Sequence, residues 1–319
     1  MTAIVGILNK RGIAIAADSA STTQKKIINS GNKMLRMSDI IPAAVMIVNH
    51  SLIAGIPWEV IIRWYRKENG KTKFDTLQAC IDDFLGFVNY KALNRDDVGD
   101  ETCYFDEERN PDNIDITTHL VFAGYGAKDS MPSICELCIY GIDNHKIMYK
   151  KSEGYIVSDK EATIYAQGQY DIIRSYIHGV IDDHIEKLIN GHINILNESF
   201  LPLLCEYSPQ EALQSDDLIS LPPYFIIREK MESIINKCKE ESEKEWLEAI
   251  KGYNHQEMAS LAENLIKATE IHKKIIGDAE EVGGLIDLAI ITKNDGFQWL
   301  NRKSWYEPSR GGQYGKFGI

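Results

Sequence analysis

Three polar residues near the start of the chain, Thr2, Asp18 and Lys33, are of types that together could form a nucleophilic centre. A Thr hydroxyl is a poor nucleophile until a base removes its proton. A Thr at the amino terminus carries such a base in its own α-amine, whose ordinary pKa is about 7.7–8.0. Removal of Met1 would give Thr2 this free amine, because aminopeptidases that remove Met accept a small second residue.

Lys33 and Asp18 could tune and orient that nucleophile. A nearby ammonium lowers the pKa of both the amine and the hydroxyl, and it stabilises an alkoxide. A buried Lys needs an opposite charge, which Asp18 would supply. Each residue alone also has an ordinary interpretation, since Thr is common at position 2, Asp often caps a turn, and Lys at a strand start is usually solvated.

The local patterns predict two hairpins that would position these three residues. Residues 2–9 and 13–19 are apolar runs on either side of a tight turn, and they predict the first hairpin. Residues 33–39 and 42–49 predict the second. Thr2, Asp18 and Lys33 then all lie near strand ends, so they could converge in space.

The rest of the chain alternates between helical and strand patterns, and it predicts two sheets covered by helices, a four-layer αββα sandwich of the α+β class. Helices are predicted after Pro57 and after Asp75, at about 171–190, and near 225–250 and 256–275. Strands are predicted at 118–126 and 134–143, twice within 147–166, and in a closing hairpin at 283–292 and 297–305. Residues 1–305 are predicted to form a single domain with a helical insertion at about 191–255, followed by a flexible Gly-rich tail at 306–319.

Composition narrows the function classes. The 319 residues carry a formal net charge of -12, which disfavours binding to nucleic acid or to an anionic membrane. The first twenty residues lack the apolar stretch of a signal peptide, and no segment reaches transmembrane length. Six cysteines without a framework spacing fit a reducing compartment, so we predict a cytoplasmic protein.

No metal site is predicted. Cys135 and Cys138 form a CxxC, but residues three apart on a strand point to opposite faces, so they are interpreted as strand packing. His178 and His184 are six apart on a predicted helix, which is the wrong phase for shared ligation. The acidic run at 106–115 lacks the ligand spacing of a calcium loop and predicts an exposed loop.

Three stretches together resemble a known family. TAIVGILNKRGIAIAADSAST with GNKMLRMSD follows the pattern T-x-x-x-G/A, G-x-x-x-A-A-D-S and K-x-x-x-x-x-D at the start of proteasome β subunits. HLVFAGYG and GGLIDLAIITKNDGFQWL resemble that family's central strand and closing hairpin. The resemblance is to a proteasome-like N-terminal nucleophile (Ntn) hydrolase, and more to a bacterial relative than to a ring subunit. It implies an Ntn-type fold with Thr2 as nucleophile, Lys33 as the catalytic Lys and Asp18 as its partner.

The resemblance also implies how a substrate would be held. The main chain at Thr22 would pair with an extended substrate as an edge strand does. Ala20, Leu35 and Met46 would lie near the specificity pocket and make it apolar. The backbone N–H of Val48 would hold the oxyanion.

The sequence departs from the family in the residues around this centre. No Gly occurs in 46–50, where the family has its oxyanion-hole Gly-Gly. The family's Gly-Ser-Gly is replaced by Ala166-Gln167-Gly168-Gln169, so Gln167 or Gln169 would replace the hydroxyl. Val282 replaces the second supporting Ser, and that Ser's Asp partner would fall on Ala279, next to Asp278. His50, close to the expected oxyanion position, is read as a hydrogen-bonded loop residue.

These observations predict a threonine-type amidohydrolase, with a peptidase as the first choice and no metal or organic cofactor. The alternatives are a small-molecule amidase or acylase on the same fold, and a catalytically inactive scaffold subunit. The expected partner is a peptide or amide substrate, and the resemblance implies a homo-oligomer, while an ATPase partner is left open. The insertion at 191–255 is either a solvated helical cap or a lid or docking element.

Overall fold

The computed structural model describes residues 2–23, 26–28, 31–94, 118–152, 155–156, 161–179, 185, 187–192, 194, 222–276 and 282–302. Within them, antiparallel strands form two larger sheets and two small hairpins, and helices pack on the sheets. The predicted tail at 306–319, the acidic run at 106–115 and residues 195–221 of the insertion lie outside the described residues. None of the described helices is long and apolar enough to cross a membrane.

The first sheet has the strand order β13-β1-β2-β14-β15. Its strands are β1 (Ala3–Asn9), β2 (Gly12–Ala17), β13 (Ala162–Gly168), β14 (Asp287–Thr292) and β15 (Gly296–Asn301). The predicted opening hairpin is confirmed as β1 paired with β2, and the predicted closing hairpin as β14 paired with β15. The two ends of the chain therefore meet in one sheet, because β14 pairs directly with β2.

The second sheet has the strand order β11-β10-β9-β6-β5, and β12 pairs with β10 beside this path. Its strands are β5 (Met34–Arg36), β6 (Ala43–Asn49), β9 (Thr118–Gly124), β10 (Ser133–Asp143), β11 (Lys146–Lys151) and β12 (Tyr155–Ile156). The second predicted hairpin is confirmed as β5 paired with β6. Two short hairpins complete the strands, namely β3 (Ser21–Thr23) with β4 (Lys26–Ile28) and β7 (Leu52–Ile53) with β8 (Ile56–Pro57).

The helices fall into two groups along the chain. The first group is α1 (Trp58–Asn69) and α2 (Leu77–Phe87), followed by a π-helical turn (Val88–Ala92). The second group is α3 (Asp171–His178), α4 (Pro222–Gly252) and α5 (His255–Ile276). The Thr76 side chain accepts a hydrogen bond from the backbone N–H of Ala79 and so caps the start of α2.

One apolar cluster, the inter-sheet cluster, contains residues of both larger sheets. From the first sheet come Ile4 and Leu8 of β1 together with Ile13 and Ile15 of β2, and from the second sheet come residues such as Val48 and Val121. Successive side chains on a strand point to opposite faces. The neighbours Ala3, Val5 and Ile7 accordingly belong to another cluster on the far side of β1.

The outer face of each sheet is covered by one helix group. The α1–α2 cluster joins Trp58, Ile61, Ile62 and Tyr65 of α1, and the apolar face of α2, to β6, β9 and β10. The α4–α5 cluster joins Met258, Ala262 and Ile266 of α5 to β1, β2 and β14. In each helix group, the apolar face packs on a sheet whose strands are buried, and the polar face is turned to solvent.

Several local predictions are wrong. The helix predicted at 171–190 is interrupted: α3 ends at His178, because Gly179 adopts the left-handed conformation with φ 70°, and residues 187–192 are helical again. Leu188, whose place in the apolar period of that helix predicts a buried side chain, is instead 60% exposed. Two consecutive prolines usually indicate a break in secondary structure, but Pro222-Pro223 lies in the first turn of α4, where the missing N–H of Pro costs nothing.

Candidate functional site

Asp18 is the centre of the predicted nucleophilic cluster. It directly follows β2, is fully buried, and accepts three backbone hydrogen bonds. Ala3 N–H donates to Oδ1 at 2.9 Å, and the N–H groups of Ala20 and Gly283 donate to Oδ2 at 3.2 and 3.4 Å. The carboxylate therefore links the start of β1, the turn after β2 and the segment before β14.

Lys33 completes this arrangement from the second hairpin. Its ammonium nitrogen lies 2.7 Å from Asp18 Oδ1, and the residue is only 7% exposed. The Lys33 carbonyl accepts a hydrogen bond from Ile47 N–H at 2.8 Å, which fixes the residue to β6. Burial raises the pKa of Asp18, and the Lys33 charge and the backbone donors oppose that rise. A buried pair of this kind is costly to break from either side.

Thr2 is held through its own carbonyl group. Gln169 N–H donates to that oxygen at 2.8 Å, and Thr2 is 5% exposed. Gly168 has φ +88°, and a Cβ built on it would lie 1.8 Å from the Thr2 carbonyl oxygen. Only Gly fits at this position, since a side chain would be both strained and in collision.

The segment before β14 closes over the same centre. The Gly283 carbonyl accepts hydrogen bonds from Ser19 N–H at 3.1 Å and from Ala20 N–H at 3.0 Å. Gly284 has φ +79°, a conformation that other residues rarely adopt. Val282, at the predicted supporting-Ser position, is fully buried in the α4–α5 cluster, while Asp278 and Ala279 lie outside the described residues.

The residues predicted to bind substrate occupy different surroundings. Ala20 is fully buried at the Asp18 turn, and Met46 lies in the inter-sheet cluster. Leu35, expected to share a pocket with Met46, belongs to the α1–α2 cluster on the other face of the second sheet. The backbone of Thr22 lies in the short strand β3, paired with Ile27.

The backbone N–H of Val48, the predicted oxyanion donor, points away from Lys33. Successive backbone N–H groups of a strand point to opposite edges. Ile47 N–H points towards Lys33, so Val48 N–H points to the other edge of β6, towards β9, where its register partner is His119. Asn49 N–H returns to the Lys33 edge, at a residue with φ 68°. His50, also considered near this position, is exposed, and its carbonyl accepts a hydrogen bond from Thr118.

A second polar cluster lies on the strands of the second sheet and was not predicted from the sequence. His119 on β9 faces Cys138 on β10 in register, and Glu136 lies two residues earlier on the same face. His119 Nδ1 lies 2.5 Å from Glu136 Oε1, and Cys138 Sγ lies 3.7 Å from that nitrogen and 3.6 Å from that oxygen. The prediction that Cys135 and Cys138 lie on opposite faces of a strand is confirmed, since Cys135 packs in the α1–α2 cluster while Cys138 lies in this polar cluster.

Gln167 connects this polar cluster to the Thr2 centre. Its amide nitrogen lies 2.6 Å from Glu136 Oε1 and 3.2 Å from His119 Nδ1. Its amide oxygen accepts a hydrogen bond from Gly168 N–H at 3.0 Å. Gly168 is the residue packed against the Thr2 carbonyl. The Gln167 side chain therefore links the cluster around Glu136 to the cluster around Thr2 and Asp18.

The electrostatics of the second cluster favour an ionised carboxylate. Burial raises the pKa of Glu136, but hydrogen bonds from His119 and Gln167 outweigh burial and lower the pKa to about 2. Burial and the neighbouring Glu136 carboxylate raise the pKa of the Cys138 thiol to about 12. Glu136 is 8% exposed and Ser152 Oγ donates to its second oxygen at 3.3 Å.

A cavity of about 380 Å³ opens beside Glu136 and Gln167. Side chains of β13, α3 and α4 line the remainder, including Thr163, Arg174 and His178. His178 Nε2 is 4.0 Å from a Glu243 carboxylate oxygen. Among the described residues, His178 does not belong to any group of three side chains that could hold a metal ion. His184, the other residue of that predicted pair, lies outside the described residues.

Comparison with known proteins adds little. No protein-family model matches the chain, and no curated protein matches it either. Among solved structures, Anbu from Hyphomicrobium sp. strain MC1 is 12% identical, over 94% of this chain and 86% of that chain, with a TM-score of 0.45. A likeness at this TM-score is too loose to support an argument about function.

Proposed function

We propose that the chain is a threonine-type amidohydrolase on an Ntn-type four-layer αββα sandwich, with peptides as the first substrate class. The observation that carries this proposal is the shared oxygen of Asp18. Oδ1 accepts both the backbone N–H that follows Thr2 and the Lys33 ammonium, at 2.9 and 2.7 Å. The residue with the candidate nucleophile and the candidate cation are thus held by one buried carboxylate.

In the proposed reaction, Met1 has been removed and Thr2 carries a free α-amine. The amine accepts the proton of Thr2 Oγ1 as that oxygen attacks the amide carbon. The C–N bond then breaks, the leaving amine takes the proton, and an ester to Thr2 forms. A water molecule then attacks the ester while the Thr2 α-amine accepts its proton. This step releases the carboxylic acid and restores the Thr2 hydroxyl. Lys33 stabilises negative charge at the oxygen throughout.

For the oxyanion, we propose the N–H of Asn49 in place of Val48. The alternation of β6 directs the Asn49 N–H to the edge where Lys33 lies, whereas the Val48 N–H faces β9. A backbone donor needs no particular side chain, so the absence of Gly in this segment is compatible with the proposal. The Asn49 side chain is exposed and is not part of the interaction.

A non-catalytic scaffold subunit is the second candidate, and one observation favours it. In the chain that retains Met1, Thr2 is only 5% exposed, so its hydroxyl is not open to a substrate. A small-molecule amidase is the third, and it predicts turnover of small amides with no turnover of peptides. Helix α4 of the insertion packs on the outer face of the first sheet through Ile250, away from the inter-sheet cluster, so it does not by itself favour a closed small-molecule pocket.

The test uses the full chain expressed without an amino-terminal tag. Intact mass should show loss of Met1, and an epoxyketone, which needs both the Thr hydroxyl and its amine, should add one equivalent. Thr2→Ala should abolish labelling and peptide hydrolysis, whereas Thr2→Ser should retain labelling. Lys33→Met should reduce the labelling rate by about 100-fold or more, as the loss of a charge-stabilising donor does.

Two results would overturn the hydrolase proposal. Retained Met1 would remove the base, and a processed chain that ignores the probe would favour the scaffold subunit. Profiling processed protein against peptides and small amides separates the two enzyme readings. Thr163→Ser, in the cavity beside Gln167, is the matched control and should label as the unmodified chain does.

A further inference from the structure

We propose that His119, Glu136 and Cys138 form a binding site for one divalent transition-metal ion of the zinc class. The three residues offer an imidazole nitrogen, a carboxylate oxygen and a thiol sulfur, all within 4.8 Å of one another. They lie on adjacent strands, so the sheet itself fixes their spacing. This site is separate from Thr2 and does not depend on the proposed hydrolase activity.

The distances from the sulfur match a tetrahedral ion. Zinc binds thiolate at about 2.3 Å and imidazole at about 2.0–2.1 Å, which puts sulfur and nitrogen about 3.6 Å apart around the ion. Cys138 Sγ lies 3.7 Å from His119 Nδ1 and 3.6 Å from Glu136 Oε1. Two of the three ligand separations therefore already have the values that coordination requires.

The third separation is that of a hydrogen bond. His119 Nδ1 and Glu136 Oε1 are 2.5 Å apart, whereas two such ligands on a tetrahedral ion lie about 3.3 Å apart. An ion would replace the shared proton and move the two groups apart by about 0.8 Å, a shift that side-chain rotation supplies. The thiol would lose its proton on binding.

Burial and access also fit a metal site. Glu136 is 8% exposed, and the cavity of about 380 Å³ reaches both Glu136 and Gln167. Because Glu136 lines the cavity, an ion could reach the carboxylate from that side. Gln167 hydrogen-bonds the carboxylate at 2.6 Å, which orients a ligand in the manner of outer partners in known metal sites.

The ligand chemistry selects the kind of metal. A thiolate with an imidazole favours zinc, cobalt or a similar ion, whereas magnesium and calcium prefer sets of oxygen ligands. Cys135 provides an internal contrast, because it is three residues from Cys138 on the same strand but packs in the apolar α1–α2 cluster. It is close in sequence and absent from the ligand set.

The experiment titrates the full-length chain, with any tag removed and metal stripped by chelator, with Zn²⁺ and separately with Co²⁺. We expect one equivalent of Zn²⁺ to bind and to raise the unfolding temperature, as an ion that binds only the folded state must. Bound Co²⁺ should show a thiolate charge-transfer absorption. Cys138→Ser should remove that absorption and weaken Zn²⁺ binding by more than about 100-fold. That loss exceeds the roughly 10–100-fold typical when only a hydrogen-bond partner of a ligand is removed.

Cys135→Ser and Cys238→Ser are the matched controls and should retain both the absorption and the affinity. Cys238 is exposed on α4 and represents adventitious thiol binding. Glu136→Gln keeps the side-chain shape and should weaken Zn²⁺ binding even if Cys138→Ser alters folding. No binding near one equivalent, or binding lost in Cys238→Ser and kept in Cys138→Ser, would overturn the proposal.

Discussion

Two buried carboxylates differ in what balances their charge. Asp18 is fully buried and is paired with the Lys33 ammonium and three backbone N–H groups. Glu136 is nearly as buried, but its partners are the side chains of His119, Gln167 and Ser152. The first carboxylate is tied to backbone N–H groups and to the Lys33 ammonium, whereas the second depends on side chains that are neutral or titratable.

This difference predicts how each site responds to change. Removing a carboxylate that neutralises a buried ammonium leaves an uncompensated charge. Removing one that accepts hydrogen bonds from side chains leaves polar groups that can rotate or meet water from the adjoining cavity. Substitutions at Asp18 should therefore cost more stability than substitutions at Glu136.

The largest effect is expected for Asp18→Ala. It leaves the Lys33 ammonium buried without its partner, so we expect a loss of about 3–5 kcal/mol in the free energy of unfolding. Urea unfolding followed by circular dichroism measures it. The double variant Asp18→Asn, Lys33→Met removes both charges and should recover much of the loss. A single variant as stable as the double would mean that the ion pair does not matter.

Gly168→Ala tests the residue that packs against the Thr2 carbonyl group. The new Cβ would meet the Thr2 carbonyl oxygen at 1.8 Å, at φ +88°, so we expect destabilisation of about 3 kcal/mol. Gly86→Ala is the matched control, because nothing lies within 4 Å of a Cβ there and the residue is inside α2. That control should gain up to about 1 kcal/mol from helix propensity. Equal effects in the two variants would contradict the close contact at Thr2.

Glu136→Gln should cost less, about 1–3 kcal/mol, because it removes one charge-assisted acceptor and keeps the shape of the side chain. Thermal and urea unfolding of the metal-free chain measure the change. Cys135→Ser, on the opposite face of β10, is a size-matched control for disturbance of the strand. A cost above that of Asp18→Ala would reverse the comparison between the two carboxylates.

Acid should remove the contribution of Glu136 to the free energy of unfolding. The pKa of Glu136 is lowered to about 2 from 4.5, so its ionised form stabilises the folded chain above about pH 4.5. That contribution should be lost progressively as the pH falls from about 4.5 towards 2. In Glu136→Gln the free energy of unfolding should fall less steeply over this range. Parallel profiles for the two proteins would show that Glu136 is not the group responsible.

The smallest effect is expected at an exposed pair. Lys10 lies 3.0 Å from Glu161, and both side chains are about half exposed. Solvent screens such pairs, so Lys10→Ala should leave the unfolding midpoint in urea unchanged within error. A clear loss of stability would show that distance alone, rather than burial, sets the value of ion pairs in this protein.

The sequence predicted the elements that depend on local patterns. The opening hairpins, α1, α2, α4, α5 and the closing hairpin follow from period and turn signals, and Asp18 and Lys33 meet as the two hairpins suggest. The sequence does not mark Gly179 as a helix end, because the apolar period continues beyond it. A left-handed residue there ends α3 whatever follows.

The second polar cluster could not be predicted in the same way. The register of β9 against β10 brings His119 and Glu136 together, and Gln167 reaches them from β13 of the other sheet. One signal was available, namely a Glu two residues before Cys138 within an apolar strand, where an ionisable residue needs a partner. The partner itself cannot be named from one sequence, because nothing local specifies which strand lies beside β10.

The alternation of β10 has a consequence for the fidelity of folding. Cys135, Leu137 and Ile139 point to the helices, while Glu136 and Cys138 point the other way. A slip of one residue against β9 would exchange these faces and drive a carboxylate among the aromatic rings of α1 and α2. The cost of that misplaced charge discriminates against the wrong alignment, so a group of polar side chains inside the protein makes the pairing of its central strands unambiguous.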